Sequence, residues 1–304
     1  MQQTDKDTLI VGISSRSLFD LEKENDIFVR NGVDEYQKYQ MDNENKPLKK
    51  GTAFHLIESL LKLNEKTQKK IIEVVVMSRN SPDTGLRVLN SIDHYKLPIT
   101  RSAFSSGESL AKYIEPFKID LFLSKNEQDI QEAIDSGKCA AALIYEPPTG
   151  FTPDENTLRI AFDADAVIFS EESEFIYKTA GLEEFARNEA EKQDIPLNEG
   201  PFAKFIKTLS HIQSKIEGGG KLIRIAIVTA RDYPSNIRVI KTLRKWGVNV
   251  DEAFFLGGQP KDMILKAFNP HIFFDDQECN VKPASSVVPS SRVPYKKDSP
   301  LAGK

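Results

Sequence analysis

The chain has 304 residues, with 41 basic and 45 acidic side chains and a formal net charge of −4. This balance, without long like-charge runs, argues against a nucleic-acid or an anionic-membrane partner. Two cysteines without C-x-x-C spacing argue against a disulfide framework and a zinc site. Because no apolar stretch approaches about 20 residues and no signal-peptide pattern is present, we expect a cytoplasmic protein with no membrane contact.

Short apolar, β-branched runs alternate along the chain with helical periodicities, which are clearest from Phe54 to Leu61 and from Phe202 to Ile212. Such alternation is typical of a mainly parallel α/β sheet, whose ligands bind at the carboxyl ends of the strands. The predicted strands are Thr8 to Ile13, Ile71 to Met77, Leu121 to Leu123, Ala140 to Ile144, Leu158 to Phe162, Leu222 to Val228 and His271 to Phe274.

A cluster of helix and strand breakers, Glu146 to Gly150, marks the predicted boundary near the middle of the chain. We expect an N-terminal α/β half over residues 1–150 and a second half over residues 151–282. The remaining residues, 283–304, contain many Pro, Ser and Lys residues and are predicted to be loop or disorder.

The two halves repeat each other at a nearly constant offset of about 150 residues. Gly32 falls on Gly181 and Gly51 on Gly200, and after a small shift Arg87 falls on Arg238. Two unrelated α/β units would share hydrophobic spacing, but they would not align glycines and prolines in this way. The pattern therefore predicts a duplicated unit.

The acidic strand ends differ between the two copies. Asp163 and Asp165 fall opposite Ser14 and Arg16, and the pair Asp275 and Asp276 falls opposite Ser124 and Lys125. We therefore expect the first half to be a degenerate, non-catalytic copy. Its polar strand ends are either a vestige or a nucleotide-binding or effector surface.

Four polar signals follow apolar runs of the second half in the order Asp163-x-Asp165, Thr229, Lys261 and Asp275-Asp276. Any one of them is an ordinary feature of a helix start, but four at one sheet edge indicate a site. The groups suit phosphoryl transfer through an aspartyl-phosphate, with Asp163 as nucleophile and Asp165 as general acid and base.

The same chemistry requires positive charge between the nucleophile and the phosphate. Mg²⁺ suits this role because it accepts a few carboxylate ligands, waters and a phosphate oxygen. Its expected ligands are Asp163, Asp275 and the main-chain carbonyl of Asp165, with Asp276 as a further candidate. Thr229 would donate a hydrogen bond to a phosphoryl oxygen, and Lys261 would neutralise the transferring group.

This ordered set resembles the haloacid dehalogenase superfamily of phosphohydrolases. The segments FDADAVIFSEESE, IVTAR, TLRKWGVNVDEAFFLGGQPK and PHIFFDDQ, with GISSRSLFDLE in the first half, look like the cytosolic 5'-nucleotidase type I family over nearly the whole chain. The resemblance implies a Rossmann-like fold of that superfamily with a small cap insert at about 170–200. It also implies Mg²⁺-dependent hydrolysis of nucleoside 5'-monophosphates such as AMP to nucleoside and phosphate.

One residue departs from the family pattern, and several contacts stay open. Ala164 stands where the family usually has Gly, which removes no catalytic group but could alter the fit of a particular nucleotide. Arg231 either contacts the phosphate or nucleoside, or pairs with Asp232 or Glu252. The other candidates for supporting or substrate contacts are Ala230, Asp276 and Arg16.

Three alternatives remain at this level. The protein could be a phosphatase for another small phosphometabolite, a phosphotransferase, or a nucleotide-binding regulator without turnover. Base preference, sugar preference and oligomeric state, a homo-oligomer included, are not decided by the sequence.

Overall fold

The strands of the protein were located in a computed structural model that describes residues 7–146, 148–216 and 219–302. Those of the first half are β1 (Leu9–Ile13), β2 (Phe19–Asp20), β3 (Lys49–Lys50), β4 (Ile72–Ser78), β5 (Arg101–Phe104), β6 (Leu121–Ser124) and β7 (Ala140–Ile144). Those of the second half are β8 (Leu158–Phe162), β9 (Ile223–Thr229), β10 (Glu252–Phe255), β11 (Ile272–Asp275) and β12 (Ser290–Arg292).

Helices connect most of these strands. In the first half they are α1 (Ser15–Leu18), α2 (Glu22–Asn31), α3 (Val33–Asp42), α4 (Phe54–Thr67), α5 (Pro82–His94), α6 (Ala111–Phe117) and α7 (Glu127–Ser136). In the second half they are α8 (Glu172–Glu191), α9 (Ala203–Lys215), α10 (Gly219–Leu222), α11 (Asn236–Trp246), α12 (Asp262–Phe268) and α13 (Glu278–Ser285). None of the described helices is long and apolar enough to cross a membrane.

Ten strands form one sheet in which the two halves have the same strand order. The first half contributes β7-β6-β1-β4-β5 and the second contributes β12-β11-β8-β9-β10. Neighbours within each half are parallel, whereas β12 and β7 meet antiparallel, with Ser291 opposite Ile144. The α/β class is confirmed, and the repeated order is what a duplicated unit predicts. Because the central pair is antiparallel, the carboxyl strand ends of the two halves lie at opposite sheet edges.

The predicted central strands and both strongly periodic helices are present. Strands such as β1 (LIVGI) and β7 (AAALI) are buried along their whole length, as expected for parallel strands covered on both faces. Helices α4 and α9 bury the apolar faces that their periodicity predicted, including Phe54, Ile57 and Phe205.

Two pairs of repeated glycines have a physical reason. At Gly200 a Cβ would lie 2.2 Å from the carbonyl oxygen of Phe169, and at Gly51 it would lie 2.8 Å from that of Ser17. Gly32 and Gly181 have φ angles of 85° and 84°, which side chains rarely tolerate. Each half therefore has an insert between its first strand (β1 or β8) and its periodic helix (α4 or α9). A tight backbone contact closes this insert, and a glycine kinks it.

Three sheet strands, β5, β10 and β12, were absent from the predictions. β5 and β12 contain no run of three apolar residues, and the run within β10 is limited to Ala253, Phe254 and Phe255. The prediction of a loop or disordered tail from residue 283 was wrong over its first part. Helix α13 continues to Ser285, and β12 joins the centre of the sheet. The buried Ser291 hydroxyl donates to the Phe273 carbonyl at 2.9 Å, which lets a polar residue occupy a central strand. Within the predicted boundary Glu146 to Gly150, Pro147 lies outside the described residues.

Candidate active site

The loop after β8 carries the two aspartates. The chain leaves the strand extended at Asp163, whose N–H donates to the Phe274 carbonyl of β11 at 2.7 Å. A π-type turn over Ala164–Ile168 follows, with Asp165 extended and Ala166 in the left-handed region at φ 58°. Ala164 is fully buried. This turn places both aspartates at the carboxyl edge of β8.

Lys261 joins the carboxylates of two loops. Its Nζ donates to Asp163 Oδ1 at 2.6 Å and to Asp275 Oδ2 at 2.7 Å. All three side chains are buried. Carboxylate oxygens of Asp163, Asp275 and Asp276 also lie within 4.8 Å of one another. The structure thus brings together residues that the sequence places about 100 positions apart.

Negative charge exceeds positive charge in this cluster. Burial, with the charges of Asp275 and Asp165, raises the pKa of Asp163 to about 7 against the opposing effect of Lys261. Burial and the neighbouring carboxylates of Asp275 and Glu174 raise the pKa of Asp276 well above its ordinary value. Despite burial, the carboxylates of Asp163 and Asp275 raise the pKa of Lys261. One ammonium group therefore does not balance the acids.

The donor set fits a hard divalent cation. Three buried carboxylates offer oxygen ligands close together, and Asp276 Oδ1 is buried without a hydrogen-bond partner among the described residues. Mg²⁺ prefers oxygen ligands of this kind. A cation would supply the positive charge that the cluster lacks and would give the orphan oxygen a partner.

Asp165 is held by a chain of buried ion pairs. Arg231 donates to its two carboxylate oxygens at 2.8 and 2.7 Å and also donates to Glu189. Glu189 in turn accepts from Arg238 at 2.8 Å. The expected alternative pairing of Arg231 with Asp232 or Glu252 was wrong, and Glu252 accepts from Arg224 at 2.7 Å instead.

Thr229 and Ala230 lie at the end of β9, next to β8. The Thr229 hydroxyl is buried and accepts the Arg231 N–H at 3.3 Å, which leaves its own hydrogen free to donate. Ala230 is exposed, and its carbonyl accepts the N–H of Gly258 at 3.0 Å. This end of the sheet therefore offers a hydroxyl donor beside the aspartates.

Arg16 does not join this site. It follows β1, and four strands stand between β1 and β8, a separation of about 24 Å at ordinary strand spacing. It also lies at the opposite sheet edge and pairs with Glu22 at 3.0 Å. As a candidate contact, Arg16 therefore belongs to the strand ends of the first half and not to this cluster, because the strand direction reverses at β7 and β12.

Two residues of the site were missed from the sequence. Glu189 lies on α8 and joins Arg231, Arg238 and Ser173. Tyr295, in the tail, donates its hydroxyl to Asp276. The repeat match of Arg87 with Arg238 was a usable signal for the Glu189 network, because it marked a buried arginine that needs a carboxylate. Nothing in the sequence pointed to Tyr295.

The fold is that of an α/β protein with a buried cluster of carboxylates at the carboxyl ends of its strands. The chain belongs to the 5'-nucleotidase family, whose model matches residues 1–300. It is 34% identical over 290 residues to cytosolic 5'-nucleotidase 1B from Homo sapiens, a match that covers 92% of this chain and 47% of the relative. The chain thus spans about half the length of that relative. No solved structure gave a significant match.

Proposed function

We propose that the protein hydrolyses nucleoside 5'-monophosphates, such as AMP, to nucleoside and phosphate through a phospho-Asp163 intermediate, with Mg²⁺ as cofactor. The observation that carries this proposal is the buried Lys261 ammonium between Asp163 and Asp275, with Asp276 close by. Family membership supports the substrate class. The cytosolic location in the relative's name supports the same location for this chain.

In the first step, an Asp163 oxygen attacks phosphorus while the bond from phosphorus to the 5' oxygen breaks. Asp165 gives its proton to the departing oxygen, so that the nucleoside leaves neutral. Lys261 and the Thr229 hydroxyl stabilise charge on the phosphoryl oxygens. The Arg231 fork holds Asp165 in place through bonds to both carboxylate oxygens.

In the second step, Asp165 accepts a proton from water as the water oxygen attacks phosphorus of phospho-Asp163. Inorganic phosphate leaves and the Asp163 carboxylate is restored, so atoms and charges balance over the cycle. Asp163, Asp275 and the main-chain carbonyl of Asp165 would hold Mg²⁺, with Asp276 as a further oxygen donor. The cation would neutralise the repulsion between carboxylate and phosphate.

The insert between β8 and α9 is our candidate for the cap that contacts the nucleoside. Its ends are closed by the bridge between Phe169 and Glu199. On α8, Tyr177 is 53% exposed and its ring meets that of Phe185 edge-on, with centroids 6.2 Å apart. An exposed aromatic ring on the insert would allow a base to stack.

The test is phosphate release from a panel of nucleoside monophosphates and sugar phosphates, with and without Mg²⁺. We expect Mg²⁺-dependent release from the nucleotides, abolished by Asp163→Asn and retained by Asp232→Asn, which changes an exposed aspartate of a neighbouring loop. Undiminished release by Asp163→Asn would contradict the mechanism. Preference for sugar phosphates, or transfer to an acceptor other than water, would favour the other enzyme alternatives, and binding without turnover would favour a regulator.

A further inference from the structure

A cavity of about 500 Å³ lies in the first half, at the carboxyl ends of β1, β4 and β6. This volume lies in the range of small-molecule sites. Its wall contains Ser14 and Arg16 after β1, Ser78 at the end of β4, and Lys125 after β6. By strand order this is the counterpart of the acidic site, but it lies at the opposite sheet edge.

The loops of the cavity repeat the backbone of the acidic site. The Ser14 N–H donates to the Leu123 carbonyl at 2.9 Å, as the Asp163 N–H does to that of Phe274. The Ser124 hydroxyl accepts the Asn126 N–H at 3.1 Å, as Asp275 does that of Gln277. These backbone hydrogen bonds are therefore the same in both sites, although serine hydroxyls replace the aspartate carboxylates. Without a carboxylate at Ser14, this half has no nucleophile for an acyl phosphate.

The charge of the strand ends is reversed. Arg16 stands where the second half has Asp165, and Lys125 stands where it has Asp276. Both cations donate to Glu22, each at 3.0 Å, and the Glu22 side chain is 42% exposed. Lys125 also donates to Glu146 at 2.8 Å, and the Glu146 side chain is 70% exposed. Both exposed carboxylates can turn into solvent and leave the two cations to another anion. Such a site needs no metal to hold a phosphate.

Two further donors of the wall have no acceptor. Arg16 Nε and Asn80 Nδ2 are buried without a hydrogen-bond partner among the described residues. Buried donors usually find partners, so their lack of one favours a ligand that brings acceptor oxygens. A phosphate group offers several such oxygens.

The outer part of the wall is apolar and aromatic. Phe28 is 49% exposed, and its ring meets that of Tyr36 edge-on, with centroids 5.8 Å apart. This pair repeats the Tyr177 and Phe185 pair of α8, where the corresponding interplanar angle is 80° against 81° here. Leu21 and Val33 extend the apolar surface. A planar base could lie on this surface while its phosphate reaches the cations.

We propose that the first half binds a nucleoside phosphate without a metal and without hydrolysing it. The phosphate contacts Arg16 in exchange for Glu22 and Lys125 in exchange for Glu22 and Glu146, and the base contacts Phe28. The protein thus has two sites of one ancestry at opposite sheet edges, one that cleaves its ligand and one that holds it.

The experiment is calorimetric titration of AMP into the full chain carrying Asp163→Asn, in EDTA. Neither turnover nor a metal takes part, so the result does not depend on the proposed hydrolysis. We expect binding that Arg16→Ala weakens at least about 10-fold, as expected for loss of a charge-assisted contact. Phe28→Ala should weaken AMP binding but not that of inorganic phosphate, the second probe.

Glu22→Gln provides the sharper variant, because it removes the carboxylate that Arg16 and Lys125 share and should tighten the binding of both probes. The matched control is Arg244→Ala, which changes an exposed arginine in the last turn of α11, outside the insert, and should have no effect. Circular dichroism checks that each variant is folded. Absence of AMP binding, or binding that is equal in the Arg16→Ala, Glu22→Gln and unmodified Asp163→Asn proteins, would overturn the proposal.

Discussion

The two halves share one backbone arrangement, but the side chains at their strand ends have opposite charges. Each contributes five strands to the large sheet in the same order, and each has an insert kinked at a glycine and an arginine that reaches back to the insert. Arg87 donates through Nε to the Lys46 carbonyl at 3.0 Å, and Arg238 does the same to Ile195 at 2.9 Å. Since the first half folds this way with Ser14 in place of Asp163, the fold does not require the acids.

In the two inserts, the buried carboxylate that pairs with the arginine lies at different positions, but the ion pair itself is kept. In the second half Glu189 accepts from Arg238 and from Ser173. In the first half the counterparts of Ser173 and Glu189 are Glu24 and Gln40, and both accept from Arg87. Arg87 and Arg238 are therefore each paired with one buried carboxylate. It is Glu24 in the first half, at the position of Ser173, and Glu189 in the second half, at the position of Gln40. The balance of charge is retained even where the residues exchange places.

The largest effect is expected when the second half is made to resemble the first at Lys261, whose counterpart is Leu110. Lys261→Leu should lower phosphate release about 10²- to 10³-fold, because one group that stabilises the transferring phosphoryl is lost. Phosphate release under saturating AMP and Mg²⁺ measures this. Lys266→Leu, which changes an exposed lysine of α12, is the matched control. Near-normal release by Lys261→Leu would mean that the ion pairs of Lys261 have no part in the reaction.

The second prediction moves the buried carboxylate of the second-half insert from position 189 to position 173. Glu189→Gln should lower the free energy of unfolding by about 3 kcal/mol, because Arg231 and Arg238 keep buried charges without their partner. Adding Ser173→Glu reproduces the arrangement of Glu24 and Gln40 and should restore more than half of that loss. Urea unfolding of the single and double variants measures both values. A double variant no more stable than Glu189→Gln would show that the two inserts are not interchangeable.

Much of the fold and of the site was predictable from the sequence, for a physical reason. Fully buried parallel strands read as apolar runs, and polar residues after them meet at one edge, so Asp163, Lys261 and Asp275 could be grouped without coordinates. The half-exposed strands β5 and β10 have only two and three apolar residues in a row. The position of Arg16 at the opposite edge could not be predicted because a sequence does not show how two half-sheets join. Glu189 was missed because its role depends on partners that only the folded insert brings together.

The third prediction concerns the pH dependence of stability and uses Asp163, whose counterpart in the first half is Ser14. Burial raises the pKa of Asp163 to about 7, so between its ordinary value and pH 7 the folded protein binds more protons than the unfolded chain. Stability without metal should therefore fall as pH rises from about 4 to about 7, with a contribution on the order of 3 kcal/mol from this group. Urea unfolding in EDTA over this range measures it. In Asp163→Asn the slope should be shallower, and an unchanged slope would contradict the assignment.

The smallest effect is expected at the glycines that kink the two inserts. Gly32 and Gly181 have nearly equal φ angles and open space around the missing Cβ, so alanine at either position should cost only backbone strain. Each substitution should lower the free energy of unfolding by about 1–2 kcal/mol, and by the same amount in both halves. Gly200→Ala is the contrasting variant, because its Cβ would meet the Phe169 carbonyl at 2.2 Å and the loss should be larger. Equal losses at Gly32 and Gly181 would show that the inserts keep equivalent backbones. A loss in one half alone would mean that the insert of the other half does not depend on the kink. The two copies would then differ in backbone conformation as well as in charge.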